Sequence, residues 1–175
     1  LFAILWITIA WGCVQFLATI NGDGGFTLDP SWQTDAISKI GRLIGQMFGN
    51  ALWEEIFWRA FLLSQLTILL QRRWGYQRWS SVLIAIVVSQ VLFALAHIPH
   101  DIAMGRSLHG ILDGQIPRLI LGLMFAILFL LSNNLFLVVG LHALHNAPTS
   151  LEAGVSFRCC PNILLLSILI FVAIS

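Results

Sequence analysis

The chain opens with LFAILWITIAWGCVQFLATI, a run without a single charged residue, and a run of about 20 predominantly apolar residues is long enough to cross the hydrocarbon core of a bilayer. Further apolar runs follow along the chain. Lipid offers no hydrogen bonds, so an isolated apolar strand cannot satisfy its backbone there, whereas a helix satisfies its own. The fold class expected is therefore all-α, a polytopic transmembrane bundle of about six helices. Composition agrees: 58% of residues are hydrophobic, 10% are charged and the mean hydropathy is +0.89, where a soluble domain has roughly a quarter charged residues. The expected localisation is an integral, multi-pass membrane protein whose immediate partner is the lipid bilayer.

The same numbers exclude other classes. A net charge of +1 without a dense Lys/Arg cluster leaves no footprint for nucleic acid. Cys13, Cys159 and Cys160 are odd in number and lack the C-x-x-C spacing of zinc or redox sites, so they read as unpaired. Residue 1 is Leu within an apolar run, and the chain stops in ILLLSILIFVAIS while still hydrophobic, which reads as a segment of a longer protein. The opening run has no basic residue ahead of it and so reads as a membrane helix, not a cleaved signal.

Turn chemistry divides the runs. The first span covers Phe2 to Ile20 and ends at Asn21-Gly-Asp-Gly-Gly. The second element starts near Ser31 or Thr34, residues suited to a helix N-cap, and continues to about Gln71. That is too long for one straight span, so its first turns, with Asp35, Lys39 and Arg42, are expected along the interface. The third span runs from Ser80 to His97, ahead of Pro99. A polar stretch from His100 to Gln115, with Gly105, Gly110 and Gly114, reads as a loop carrying His100 and His109. The fourth span covers Ile116 to Leu131, Ser132-Asn133-Asn134 reverses the chain, and the fifth covers Leu135 to Asn146 before Pro148. A last helix starts near Pro161-Asn162. In domain terms, 1–40 holds the first helix and its loop, 41–150 a core, and 151–175 the final loop and helix.

Three short motifs interrupt this apolar background: Glu54-Glu55-x-x-x-Arg59, Phe93-x-x-x-His97 and His142-x-x-x-Asn146. Ionisable groups within membrane segments are functional-site candidates by default. Connectivity then tests them jointly. Glu54 lies eighteen residues before Arg72, about 27 Å of helix rise, so it sits near the membrane face where the second helix begins. The third helix returns to that face and ends at His97. The fourth leaves it and the fifth comes back, bringing His142 and Asn146 toward the same level. The fit is loose for His142, only about 12 Å of rise beyond Asn134.

These groups suit hydrolysis. A carboxylate in a partly wet, low-dielectric cavity, beside an imidazole, can take a proton from water and pass it to a leaving amine, the role open to Glu54 and His97. An imidazole and a carboxamide one helical turn apart present N–H donors on one face, as a developing oxyanion requires, and His142 with Asn146 fits. Peptide hydrolysis is the reaction these parts describe most economically.

With those residues in view, Glu54-Glu55-Ile-Phe-Trp-Arg59, Phe93-Ala-Leu-Ala-His97 and His142-Ala-Leu-His-Asn146 resemble the EExxxR, FxxxH and HxxxN motifs of the CAAX protease and bacteriocin-processing family, which includes the type II CAAX prenyl endopeptidase. The resemblance covers about residues 40 to 150. It implies a glutamate-dependent intramembrane endopeptidase in which Glu54 and His97 activate water, His142 and Asn146 hold the oxyanion, and Glu55 and Arg59 are supporting residues. It implies no cofactor, and a substrate that is a membrane-associated peptide or lipidated protein, either a CAAX-type prenylated tail or a bacteriocin leader.

Other readings compete. Glu55 and Arg59, four apart, suit a structural ion pair. His97 could cap a helix end, and His142 or Asn146 could bond across helices as polar glue. His145 reads as interfacial, and Phe93 as packing for His97. Gly41, Gly45 and Gly49 line one helix face and predict close approach of another helix. Trp32, Trp74 and Trp79 fit interfacial anchoring. A zinc site of Glu54, His97 and His142 with an open position for water is the mechanistic rival, although the chain lacks a His-Glu-x-x-His helix and Asn is a poor zinc ligand, so the metal-free reading is preferred. A non-enzymatic immunity or partner protein is the rival from another class. Arg72, Arg73 and Arg78 crowd one loop, which argues that this loop is cytoplasmic, but cations on the other side leave orientation open.

Overall fold

A computed structural model describes residues 30–75 and 77–147; the expected first and last helices and all three cysteines lie outside the described residues. Among the described residues every element is helical. In chain order these are α1 (Ser31–Gly45), a π-helical segment (Gln46–Asn50), α2 (Ala51–Glu55), a second π-helical segment (Ile56–Leu63), α3 (Ser64–Trp74), α4 (Arg78–Ala96), α5 (Ile98–Ala103), α6 (Leu108–Ser132) and α7 (Leu135–Asn146). Two of the helical stretches, Arg78–Ala103 and Leu108–Ser132, are long and apolar enough to cross a membrane, and α7 is apolar but shorter.

The long second element is indeed not straight. Its backbone leaves helical geometry at Gly49 (φ −115°, ψ −105°), inside the first π-helical segment. No atom lies within 4 Å of where a Cβ would stand on Gly41, Gly45 or Gly49, so the close helix approach expected over these glycines is not made among the described residues. The π-helical segments have no signature in the sequence. Their i→i+5 bonding accommodates an extra residue per turn and is frequent near functional sites, and here the two flank the Glu54-Glu55 pair.

The largest correction concerns the stretch from His100 to Gln115, which is mostly helix. Pro99 sits in the first turn of α5, where its missing N–H costs nothing because no intrahelical partner exists. Only Met104 to Ser107 remain outside helices, Gly105 supplying a left-handed φ of +69°. The Ser107 hydroxyl then accepts from the Gly110 N–H at 3.2 Å at the start of α6. Thus α6 starts eight residues earlier than expected and carries Pro117 in its interior. His100 and His109 lie on helices, and His109 pairs with Asp113 one turn on, at 2.8 Å, both exposed.

Two compact units divide the chain, Glu54–Leu130 and the residues flanking that segment, of which 30–53 and 131–147 are described. In the first, α3 and α4 form a hairpin turning at Gly75, whose φ of +65° closes the helix with a bond from its N–H to the Leu70 carbonyl, the left-handed stop that glycine favours. Leu63, Leu70, Ala85, Ile86 and Ala126 form its core. Polar Ser81, Ser89 and Gln90 are buried while Leu83, Val87, Val91 and Leu95 of the same helix are exposed. Polar inside and apolar outside is the distribution expected where the solvent is lipid.

In the flanking unit Ala51, Val139 and Ala143 pack with Leu43, Met47, Leu52 and Leu135. The expected break between helices at the asparagines is present and chemically explicit. Asn133 takes a left-handed φ of +47°, and the Asn134 side-chain oxygen accepts from the Leu137 N–H at 3.2 Å, capping α7.

Candidate functional site

The unit Glu54–Leu130 carries the first two motifs. Arg59 projects from the second π-helical segment and is fully buried, as is Glu55. The ion pair predicted by their spacing is formed, with Nη1 3.0 Å from Glu55 Oε1. Nη2 donates to the Gly122 carbonyl at 3.3 Å and approaches Gln90 Oε1 at 3.5 Å. The guanidinium also lies over the Phe93 ring, 4.9 Å from its centroid, and 5.7 Å from that of Phe125, where ring quadrupoles favour a cation. Gln90 is itself held, since its Nε2 donates to Ser89 Oγ at 2.9 Å.

Phe93 links this network to the second motif. Its ring meets Trp58 edge-on at 5.6 Å and His97 at 4.8 Å. The His97 Nδ1 lies 2.8 Å from the Phe93 carbonyl oxygen. A carbonyl can only accept, so Nδ1 carries the proton and the neutral ring keeps its lone pair on Nε2. Phe93 therefore does more than pack: its carbonyl favours the Nδ1–H tautomer of the histidine one turn away. Because Arg59 lies beside Gln90 and Phe93 in an antiparallel hairpin, running back one turn to Glu54 and Glu55 and forward one turn to His97 leads to the same end. Glu54 and His97 are both half-buried there.

One turn beyond His97 is a second buried carboxylate, absent from the sequence reading. Asp101 is fully buried and bound by Arg118 through both guanidinium nitrogens, Nη2 at 2.9 Å, with Arg106 Nε at 3.5 Å. Arg106 also donates its backbone N–H to the Asp101 carbonyl at 3.0 Å. The cluster fixes the turn between α5 and α6. Asp101 and Arg118 are seventeen residues apart, so no local spacing announced the pair.

The flanking unit carries the third motif. His142 is buried and Asn146, one turn on at the end of α7, is half-buried. The Asn146 Nδ2 donates to Gln46 Oε1 at 3.1 Å, across a hundred residues of sequence. Gln46 was also missed. Its only sequence signal is a polar side chain between Gly45 and Gly49 in an otherwise apolar stretch. Of the four expected catalytic residues, Glu54 and His97 belong to one unit and His142 and Asn146 to the other.

The helical stretch Arg78–Ala103, long and apolar enough to cross a membrane, buries Ser89, Gln90 and Asp101 while exposing Leu83, Val87, Val91 and Leu95. Residues 36–148 match the family described as Type II CAAX prenyl endopeptidase Rce1-like, and the chain belongs to it. The family is one of membrane-embedded proteases. No curated protein and no solved structure matches the chain.

Proposed function

We propose that this protein is an intramembrane endopeptidase that hydrolyses a peptide bond of a membrane-associated substrate, a CAAX-type prenylated tail or a leader peptide, with water activated by Glu54 and His97. The observation that carries the reading is the Phe93 carbonyl on His97 Nδ1 at 2.8 Å, which leaves Nε2 as a base. Glu54 and His97 take a proton from water as its oxygen attacks the scissile carbonyl. The carbonyl oxygen becomes an oxyanion, held by N–H donors of His142 and Asn146. As the C–N bond breaks, the abstracted proton passes to the leaving nitrogen, giving a carboxylic acid and an amine, which ionise to carboxylate and ammonium.

Glu55 and Arg59 hold the backbone around Glu54 without touching the reacting atoms. Their burial supports this division, since Arg59 is already occupied by a carboxylate, a carbonyl and two rings. The tautomer that suits His97 as a base would equally suit it as a metal ligand, so the metal-free mechanism rests on the donor set, in which a carboxamide faces the oxyanion. The test is cleavage of fluorogenic CAAX-type and leader-type peptides by purified protein, with and without chelator. Cleavage of neither, by protein that is folded and monodisperse, ends the proposal.

A further inference from the structure

We infer that Gln46 is a positioning residue for Asn146, fixing the plane of its carboxamide so that one N–H is aimed at the oxyanion. The inference rests on the assignment of Asn146 to the oxyanion under the proposed function and adds a residue that no motif contains. Its basis is the side-chain bond from Asn146 Nδ2 to Gln46 Oε1 at 3.1 Å.

A terminal carboxamide turns easily about its last torsion, whose preferences are broad. Asn146 is the last residue of α7, half-buried, at the end of the element that holds it. Left to itself, its amide would sample orientations in which neither N–H faces a substrate carbonyl, and each turnover would require it to be ordered. A primary amide has two N–H donors in one plane. Committing one to Gln46 fixes that plane and leaves the second pointing about 120° away, as trigonal geometry dictates. The donor is thereby preorganised where charge develops, the arrangement that makes oxyanion stabilisation effective.

Gln46 is itself well placed to be rigid. It begins the first π-helical segment, and its neighbour Met47 packs against the Ala51, Val139 and Ala143 core. The helix carrying Gln46 and the helix carrying Asn146 therefore share one apolar core, and the amide bond sits on that common support.

The test is a double-mutant cycle on the full chain. Gln46→Met preserves side-chain length without the acceptor, and Gln46→Asn keeps the amide but withdraws it by one methylene. Both should lower kcat by about 10–100-fold, the range seen when the partner that orients a catalytic ligand is removed, with KM and the melting temperature in detergent unchanged. In an Asn146→Ala background either change should have no further effect on kcat. A fall in kcat of the same size with and without Asn146 would show that Gln46 acts elsewhere and overturn the inference, as would unchanged kcat in both single variants. If Asn146→Ala alone retained full turnover, the oxyanion assignment itself would fail, and with it this inference. Asn146→Ala crippled while both Gln46 variants stay fully active would overturn only the role of Gln46.

Discussion

The segment that carries the acids and the segments that carry the amide are held in different ways. Next to Glu54 the guanidinium of Arg59 meets several partners at once, Glu55, the Gly122 carbonyl, Gln90 and two aromatic faces, all of it buried. Around Asn146 one hydrogen bond to Gln46 sets the orientation, over a core of small and branched side chains. Under the proposed function, fold and chemistry lean on different residues. Changes near Arg59 should register first as lost stability, and changes near Asn146 first as lost turnover.

The largest effect should come from Glu54→Gln, which removes the proposed base and keeps shape and half-burial. Turnover should fall by about 10²–10⁴-fold, the contribution of positioned proton transfer, while the melting temperature in detergent holds. A variant that retains turnover would remove Glu54 from the chemistry and leave the acid-bearing segment purely structural.

Arg59→Ala should show the opposite balance. It strands Glu55 in a fully buried position, and breaking a buried pair from one side costs about 3–5 kcal/mol, so melting temperature and yield should fall together with activity. Normal stability with selective loss of turnover would break the comparison by assigning Arg59 to the reaction. Asn146→Ala sharpens it from the other side. Losing one oxyanion donor costs on the order of 10²–10³ in kcat, with little change in KM or melting temperature.

Gly122→Ala tests the grip on Arg59 more gently. A Cβ there would stand 2.5 Å from Gln90 Oε1 and 3.2 Å from Phe93 Cδ1, displacing the glutamine that faces the guanidinium. Overpacking of this kind costs about 1–3 kcal/mol, and Gln90→Ala in the same chain should restore part of the melting temperature by clearing the space. No loss of stability in Gly122→Ala would show that the network is looser than its contacts imply.

What the sequence could reveal follows the range over which each signal acts. Helical periodicity and i, i+4 spacing are local, and they announced the Glu55–Arg59 pair. The helix break at the asparagines and the course of α7 from Leu135 to Asn146 were legible for the same reason. Long-range partners were not: Gln90 and Gly122 around Arg59, Arg118 on Asp101 and Gln46 on Asn146 lie 31 to 100 residues away or, for Asp101, seventeen. The polar stretch after His97 misled because Gly and Pro were read as loop markers. Pro99 occupies the one helical turn that tolerates it, and Arg106 and Arg118 bind the buried carboxylate of Asp101. The π-helical segments lie beyond any residue pattern, since backbone bonding alone distinguishes them.

Chelation should have the smallest effect of all, and its size separates the two mechanisms. If water is activated by Glu54 and His97 and the oxyanion is held by N–H donors, neither step depends on an ion, and thorough chelation should leave both kcat and melting temperature where they were. A zinc held by Glu54, His97 and His142 would instead make residues from both segments depend on one ion. Chelator would then remove activity and stability together, because metal binding in such sites is coupled to folding, and the difference between a structurally anchored segment and a catalytically tuned one would disappear. His142→Ala discriminates further. As an oxyanion donor its loss lowers kcat without changing metal content; as a ligand its loss abolishes bound zinc. Zinc present one to one in active protein, removed with activity and restored on addition, would overturn the metal-free mechanism.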